Sequence, residues 1–303
     1  MRVRGAALVA AAAALWGTDA LFRRPLAHST GVATIVFGEH LVLVLVFLPF
    51  LFPAVRAVVR AGWRAIAAAV AIGAGASAVA TILFTEAFVH GDPVTPVVIQ
   101  KVQPLVAVIG ARFLLGERPR RGFAGFFAVA LAGTWLIAFP SPLDVHAHGA
   151  LQPSLYALAA AVLWALGTVL GRYLSRQLSF VDVTTLRFAA GLPAAAVALL
   201  ILGAPATASF HDSVWITMLA LVTGAIAVGL YYYGLRRTPA VTASLAELAF
   251  PVTAAFVGFV AFGATLTATQ WLGVATTSAV VLLLPGRETK LARVPGDAVP
   301  VPA

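Results

Sequence analysis

Apolar runs of about 20 residues recur from one end of this chain to the other, separated by short polar turns. Lipid offers no partner to an exposed backbone N–H or C=O, so a run of that length is satisfied by closing into a helix that spans the bilayer at about 1.5 Å per residue. Ten such runs stand at 5–22, 33–53, 64–88, 93–115, 121–139, 153–174, 182–203, 213–234, 239–262 and 267–285. The chain is therefore predicted to be an all-α integral membrane protein with ten transmembrane helices. A transmembrane β-barrel would need strands of about ten residues that alternate apolar and polar. Stretches such as 188–203 and 272–285 are almost wholly apolar or small instead.

The charges report topology. A net charge of +9 could suggest nucleic acid, but the basic residues stand singly or in pairs between apolar runs and form no continuous patch. With the N-terminus in the cytoplasm, sixteen of the twenty Lys and Arg fall in or beside cytoplasmic segments. Arg23 and Arg24 fall outside, and Lys101 and Arg187 lie within spans. That asymmetry predicts both termini in the cytoplasm. Trp63, Trp135, Trp215 and Trp271 sit near span ends, where interfacial anchors belong. The basic, apolar N-terminus imitates a signal peptide, yet its AAALW at 12–16 recurs as AAVLW at 160–164, which makes the first copy part of the fold. The polar, proline-bearing segment 286–303 reads as a disordered cytoplasmic tail. With no cysteine, the chain forms neither a disulfide nor a thiolate metal site.

The recurrence of LW extends much further. Laying Leu15–Trp16 on Leu163–Trp164 gives an offset of 148, and an offset of 147 lays 91–116 over 238–263, matching Pro104 to Pro251 and Gly116 to Gly263. The turn-rich stretch 141–152 then acts as a linker between residues 1–140 and 153–285, each with five runs. Five is odd, so the second half enters the membrane the opposite way up, and the ten helices are predicted to form two inverted five-helix repeats. Halves of like packing and opposite orientation suit alternating access, one side closing as the other opens.

LW in the first helix of each half, FLLGERP at 113–119 after an internal proline, and LAELAFPVTAAFVGFVAFGATLTATQWLG at 245–273 resemble the drug/metabolite transporter superfamily, specifically its EamA-type members. The resemblance covers residues 5–285. It implies a secondary transporter in a bacterial inner membrane that moves small organic metabolites such as amino acids or amines, often as an exporter.

Charges inside the spans are the candidate machinery. At mid-bilayer each costs about 2.5–3.5 kcal/mol on insertion scales, so each needs a partner, a wet cavity or an interface. At about 1.5 Å per residue, Asp19 and Glu86 lie roughly 5 Å and 3 Å from the outer ends of their spans, whereas Glu39 and Lys101 lie roughly 9 Å and 12 Å deep. Helical side chains tilt toward the N-terminus, so Lys101 is predicted to extend toward Glu86 or Glu39. Asp19, Glu39, His40, Glu86 and Lys101 then make one polar cluster, in which three acids face one lysine. A coupling proton or an ammonium group would use the surplus; an ion-pair network that keeps the helices in register is the plainer reading.

In the second half Ser244, Glu247 and Pro251 share a helix face by their spacing. The repeat partner of Glu247 is Gln100, beside Lys101 and close to Gln103 and Pro104. Pro104 and Pro251 loosen the backbone ladder near these polar groups, exposing carbonyls or giving the helices flexibility for gating. Trp16 and Trp164 are deeper than the belt tryptophans and are candidate solute contacts. Arg187 lies about five residues from the inner interface and reads as snorkelling. Tyr231, Tyr232 and Tyr233 read as an aromatic belt, and Gly73, Gly75, Ser77, Gly167 and Gly171 as close-packing positions.

Catalytic signatures are missing from the sequence: it has no HExxH, no GxSxG, no P-loop and no cysteine nucleophile. DVHAH at 144–148 reads as a solvated linker before it reads as a metal clip. The predicted partners are a small-molecule solute, the lipid bilayer and, as a candidate coupling ion, the proton; no nucleic acid, metal or cofactor is expected, and nothing sets an oligomeric state. A membrane-embedded enzyme or a channel for small solutes is the alternative.

Overall fold

The computed structural model describes residues 5–26, 29–90, 94–119, 122–143 and 151–288. The DVHAH stretch and the end of the tail lie outside these. Among the described residues every regular element is helical. α1 (Gly5–Trp16) continues after a turn as the short α2 (Asp19–Arg23), and α3 (Val32–Ala61) follows. α4 (Trp63–Val70) passes through a π-helical stretch, Ala71–Val79, into α5 (Ala80–His90). α6 (Val94–Gln100) and α7 (Gln103–Leu115) form an interrupted rod, and α8 (Phe123–Ala138) closes the first series. The second series runs through α9 (Leu151–Ser175), α10 (Phe180–Leu202), α11 (Phe210–Leu219), a π-helical stretch at Ala220–Ile226, and α12 (Ala227–Leu235). α13 (Ala240–Ala246) and α14 (Ala249–Phe262) form another interrupted rod before α15 (Ala268–Glu288). Eight of these stretches are long and apolar enough to cross a membrane, and Phe123–Ala138 and Ala268–Leu284 are shorter apolar helices.

Local chemistry recurs between the two series. Each interrupted rod breaks just before its proline, at Lys101–Val102 ahead of Pro104 and at Glu247–Leu248 ahead of Pro251. Proline lacks the N–H that would bond the carbonyl four residues back, so the ladder tightens into shorter bonds such as Lys101 N–H to Val98 and Phe250 N–H to Glu247. Each rod also ends on a glycine in the left-handed region, Gly116 (φ 68) and Gly263 (φ 65). The following amide then bonds back across the last turn, Glu117 to Ala111 and Ala264 to Gly258.

Two boundaries differ from the sequence reading. The second run was expected to end at 53, but α3 continues to Ala61 with Pro49 and Pro53 inside it. Each proline forfeits one ladder bond while neighbouring turns hold the helix, which stops only at Gly62 with φ 94. The tail was expected to be disordered from 286, whereas α15 runs to Glu288.

Small residues let the helices touch. α10 crosses the π-helical stretch of the first series so closely that a β-carbon on Gly73 would stand 2.8 Å from the Gly191 amide nitrogen and closer still to the Arg187 carbonyl. Gly73→Val is therefore expected to cost at least about 1–3 kcal/mol by overpacking, seen as a lower thermal midpoint in detergent. Gly229→Ala is the control: a β-carbon there meets nothing within 4 Å, so its midpoint is expected to hold or rise. Equal behaviour of the two variants would show that the crossing is not tight.

Candidate functional site

A cavity of about 540 Å³ lies between the two series of helices. From the first series it is lined by Trp16, Asp19, Glu39, His40, Gln100 and Lys101, with Gln103 and Pro104 beside them. Trp164, Ser244, Glu247 and Pro251 face it from the second. Of the candidate solute-binding, coupling and gating residues named from the sequence, Glu86 is the one that is not among the lining residues.

Three groups of polar contacts organise the walls. In the first, Arg23 Nε donates to Asp19 at 2.7 Å and its Nη2 to both oxygens of Glu39 at 3.2 Å. Glu39 is thus met by Arg23 and not by Lys101, which was expected to extend toward Glu86 or Glu39. A straight first helix would carry Arg23 out of the membrane, but the turn at Gly17 and Thr18 starts a new short helix that brings Arg23 back over the acids, four residues after Asp19. The charges lining the cavity consequently balance: Asp19, Glu39 and Glu247 against Arg23, Lys101 and Arg187. The surplus of acid expected from the sequence is absent there.

The second group is buried. His40 Nδ1 lies 2.7 Å from the Val36 carbonyl, which only accepts, so in the neutral ring Nδ1 carries the proton and Nε2 accepts from Ser77 Oγ at 3.0 Å. Ser77 Oγ accepts in turn from Arg187 Nε at 3.2 Å, and Arg187 Nη1 donates to Tyr232 at 3.1 Å. Arg187 therefore does not snorkel to the interface. It faces the cavity because the Gly73–Gly191 crossing brings α10 against Ser77.

Glu247 centres the third group. Its Oε1 accepts from the Tyr231 hydroxyl at 2.7 Å and from Thr168 Oγ1 at 2.9 Å, while Gln103 Nε2 reaches Oε2 at 3.5 Å. These partners are all neutral, and they come from α12, α9 and α7. Tyr231 is fully packed, with Trp16 5.1 Å away ring to ring, so it belongs to the site and not to an aromatic belt. Trp16 Nε1 donates to the Thr223 carbonyl at 2.9 Å, an oxygen of the second π-helical stretch, where the widened turn presents backbone to a side chain. Trp164 meets Phe84 at 5.0 Å, and Ser244 turns its hydroxyl to Val241.

The helices pack tightly at the end that holds Gly5. There α1 and α12 cross so tightly that a β-carbon on Gly234 would lie 2.8 Å from the Gly5 carbonyl oxygen. Beside them Glu117 accepts from Arg176 Nη2 at 2.8 Å and from the Val241 amide at 3.3 Å, and Arg172 Nε stands 3.6 Å away. Arg172 Nη1 also donates to the Leu235 and Arg236 carbonyls at 2.7 Å. None of Glu117, Arg172 and Arg176 was a site candidate in the sequence.

Apolar helices around a polar, aromatic cavity, built from two series that meet on one carboxylate, define a multi-pass membrane transporter for small solutes. The chain belongs to the EamA-like transporter family, which it matches over residues 3–139 and 152–284; it is a transporter and not an enzyme. It is similar to the riboflavin transporter ImpX of Fusobacterium nucleatum, 30% identical over 286 residues, covering 88% of this chain and 93% of that protein. A chloroplastic WAT1-related protein of Arabidopsis thaliana is 26% identical over 190 residues, 60% of this chain and 46% of that one. A solved crystal structure shares the fold, with a TM-score of 0.70 and 22% identity over 95% of this chain and 98% of its own.

Proposed function

We propose that this protein is a secondary carrier of a flat organic solute, working by alternating access in a bacterial inner membrane with both termini in the cytoplasm. Ten spans in two inverted repeats fit the odd number of apolar runs per half, the paired helix breaks before Pro104 and Pro251, and the family match in two stretches. The observation that carries the reading is the Gln103–Glu247 contact, where the two interrupted rods meet inside the cavity. Movement of either rod changes what the solute touches, so binding and conformation are coupled there.

For the solute, Trp16, Trp164, Phe84 and Tyr231 offer ring faces, and Gln100 and Gln103 offer amide edges. That combination suits a heteroaromatic ring with polar edges better than an aliphatic amine. The name of the Fusobacterium relative makes riboflavin the first solute to try, with the amino acids and amines implied by the family resemblance beside it. Glu247 is the proposed coupling group: a carboxyl in the cavity held by neutral donors can carry a proton across without breaking an ion pair. Direction then follows the gradients, with export the direction implied by the family resemblance.

Proteoliposomes loaded with unlabelled riboflavin, amino acids or amines are expected to show counterflow of labelled riboflavin above protein-free vesicles. A pH gradient is expected to drive riboflavin above its equilibrium level. Counterflow confined to an amine or an amino acid would overturn the ring-solute assignment, and no counterflow of any solute would count against the carrier reading itself.

A further inference from the structure

We infer that Lys101 anchors an anionic oxygen group on the transported solute, so that the solute is a ring compound bearing a phosphate or carboxylate. The inference rests on the carrier reading and specifies its substrate class. Among the charged side chains that line the cavity, Asp19, Arg23 and Glu39 satisfy one another, Glu247 has its hydroxyl and amide donors, and Arg187 has Ser77 and Tyr232. The Lys101 ammonium, half-buried and facing the same cavity, has no hydrogen bond or ion pair among the described residues. An ammonium group at that depth is expensive to keep without a partner, and every helix around it could have carried an apolar residue instead.

Its position adds direction. Lys101 sits at the break between α6 and α7, two residues from the Gln103 that reaches Glu247. Proline at 104 leaves the Gln100 carbonyl without its usual donor four residues on, so this part of the wall can be hydrogen-bonded from the cavity. Away from the Arg23 group, the cavity holds two cations, Lys101 and Arg187, and one acid, Glu247. The deep part is thus biased toward anions, more so when Glu247 carries a proton. Aromatic faces nearby take the ring, and the ammonium takes its charged oxygens.

The test uses purified full-length protein in nanodiscs and ring compounds matched except for charge: riboflavin against riboflavin 5′-phosphate, and indole-3-ethanol against indole-3-acetate and tryptamine. In each set the anion is expected to bind at least about tenfold more tightly. Lys101→Met is expected to abolish that preference and Lys101→Arg to retain most of it. The unliganded Lys101→Met protein is expected to have a higher thermal midpoint than wild type, because it loses an unpaired buried charge; a lysine that held the fold together would give a lower one. Preference for the neutral or cationic member, a preference that persists in Lys101→Met, or no binding by any member would overturn the assignment. Riboflavin counterflow in proteoliposomes of the same protein separates the two readings: transport without charge preference sinks the anion site and leaves the carrier standing.

Discussion

Glu247→Gln is expected to reduce gradient-driven accumulation of solute at least about tenfold, to the level of simple equilibration, while counterflow stays within about threefold of wild type. Glutamine has nearly the shape of glutamate and keeps an oxygen to accept from Tyr231 and Thr168, which stand 2.7 and 2.9 Å from Oε1. What it cannot do is take up and release a proton. The substitution therefore separates holding the site together from coupling it to the gradient. Glu247→Ala should fare worse in both assays, since Tyr231 then keeps only the Thr168 hydroxyl at 3.1 Å and Thr168 only the Trp164 carbonyl at 3.5 Å. Tyr231→Phe removes one donor and is expected to lower accumulation a few-fold and preserve coupling. The measurement is labelled-solute uptake with and without a pH gradient on variants that elute as single species. Full accumulation by Glu247→Gln would move the coupling group elsewhere, to Glu39 first.

The all-helical membrane class was legible because lipid enforces it. Apolar length determines where helices lie, and proline and glycine determine where they break and stop, so 91–116 and 238–263 could be aligned from Pro104 with Pro251 and Gly116 with Gly263. Four of the cavity's six charged residues and both its tryptophans could be picked out for a related reason: a charge or a tryptophan deep in an apolar run is costly unless something meets it. Partner choice was not legible. Arg23 was counted with the outer loop because depth was measured along a straight helix, and the turn at Gly17 and Thr18 undid that measure. Arg187 looked like an interfacial cation until the Gly73–Gly191 crossing set its neighbours. Thr168, Ser77 and Thr223 carry no signal of their own, because a hydroxyl in a membrane helix usually bonds back to its own backbone, as Thr184 and Thr185 do here. Only tertiary contact distinguishes those that line a site.

Glu117→Gln is expected to open the end of the bundle that holds Gly5. The carboxylate sits immediately after the C-terminal glycine of α7 and joins that rod to the start of α13 through the Val241 amide and to α9 through Arg172 and Arg176. Both interrupted rods are thereby fixed to each other at one end while their breaks face the cavity. Arg176 is substantially exposed, and its share is small by the usual measure of surface pairs. Arg172 and Glu117 have side chains only 14% and 10% exposed, so neutralising Glu117 takes a carboxylate charge away from beside a largely buried guanidinium. A bias of about 1.4 kcal/mol toward the open arrangement would raise its population roughly tenfold. The native chain has no cysteine, so Ala6→Cys, placed at a 1% exposed position beside the α1–α12 crossing, reports that opening without background. Its alkylation by an impermeant maleimide applied to the face on which Gly5 lies should accelerate about tenfold in Glu117→Gln. Net transport should fall by a similar factor, since a carrier that stays open on one side completes few cycles. Unchanged alkylation with normal transport would mean that Glu117 merely ties loops at the surface, and that closure rests on the Gly5–Gly234 crossing alone.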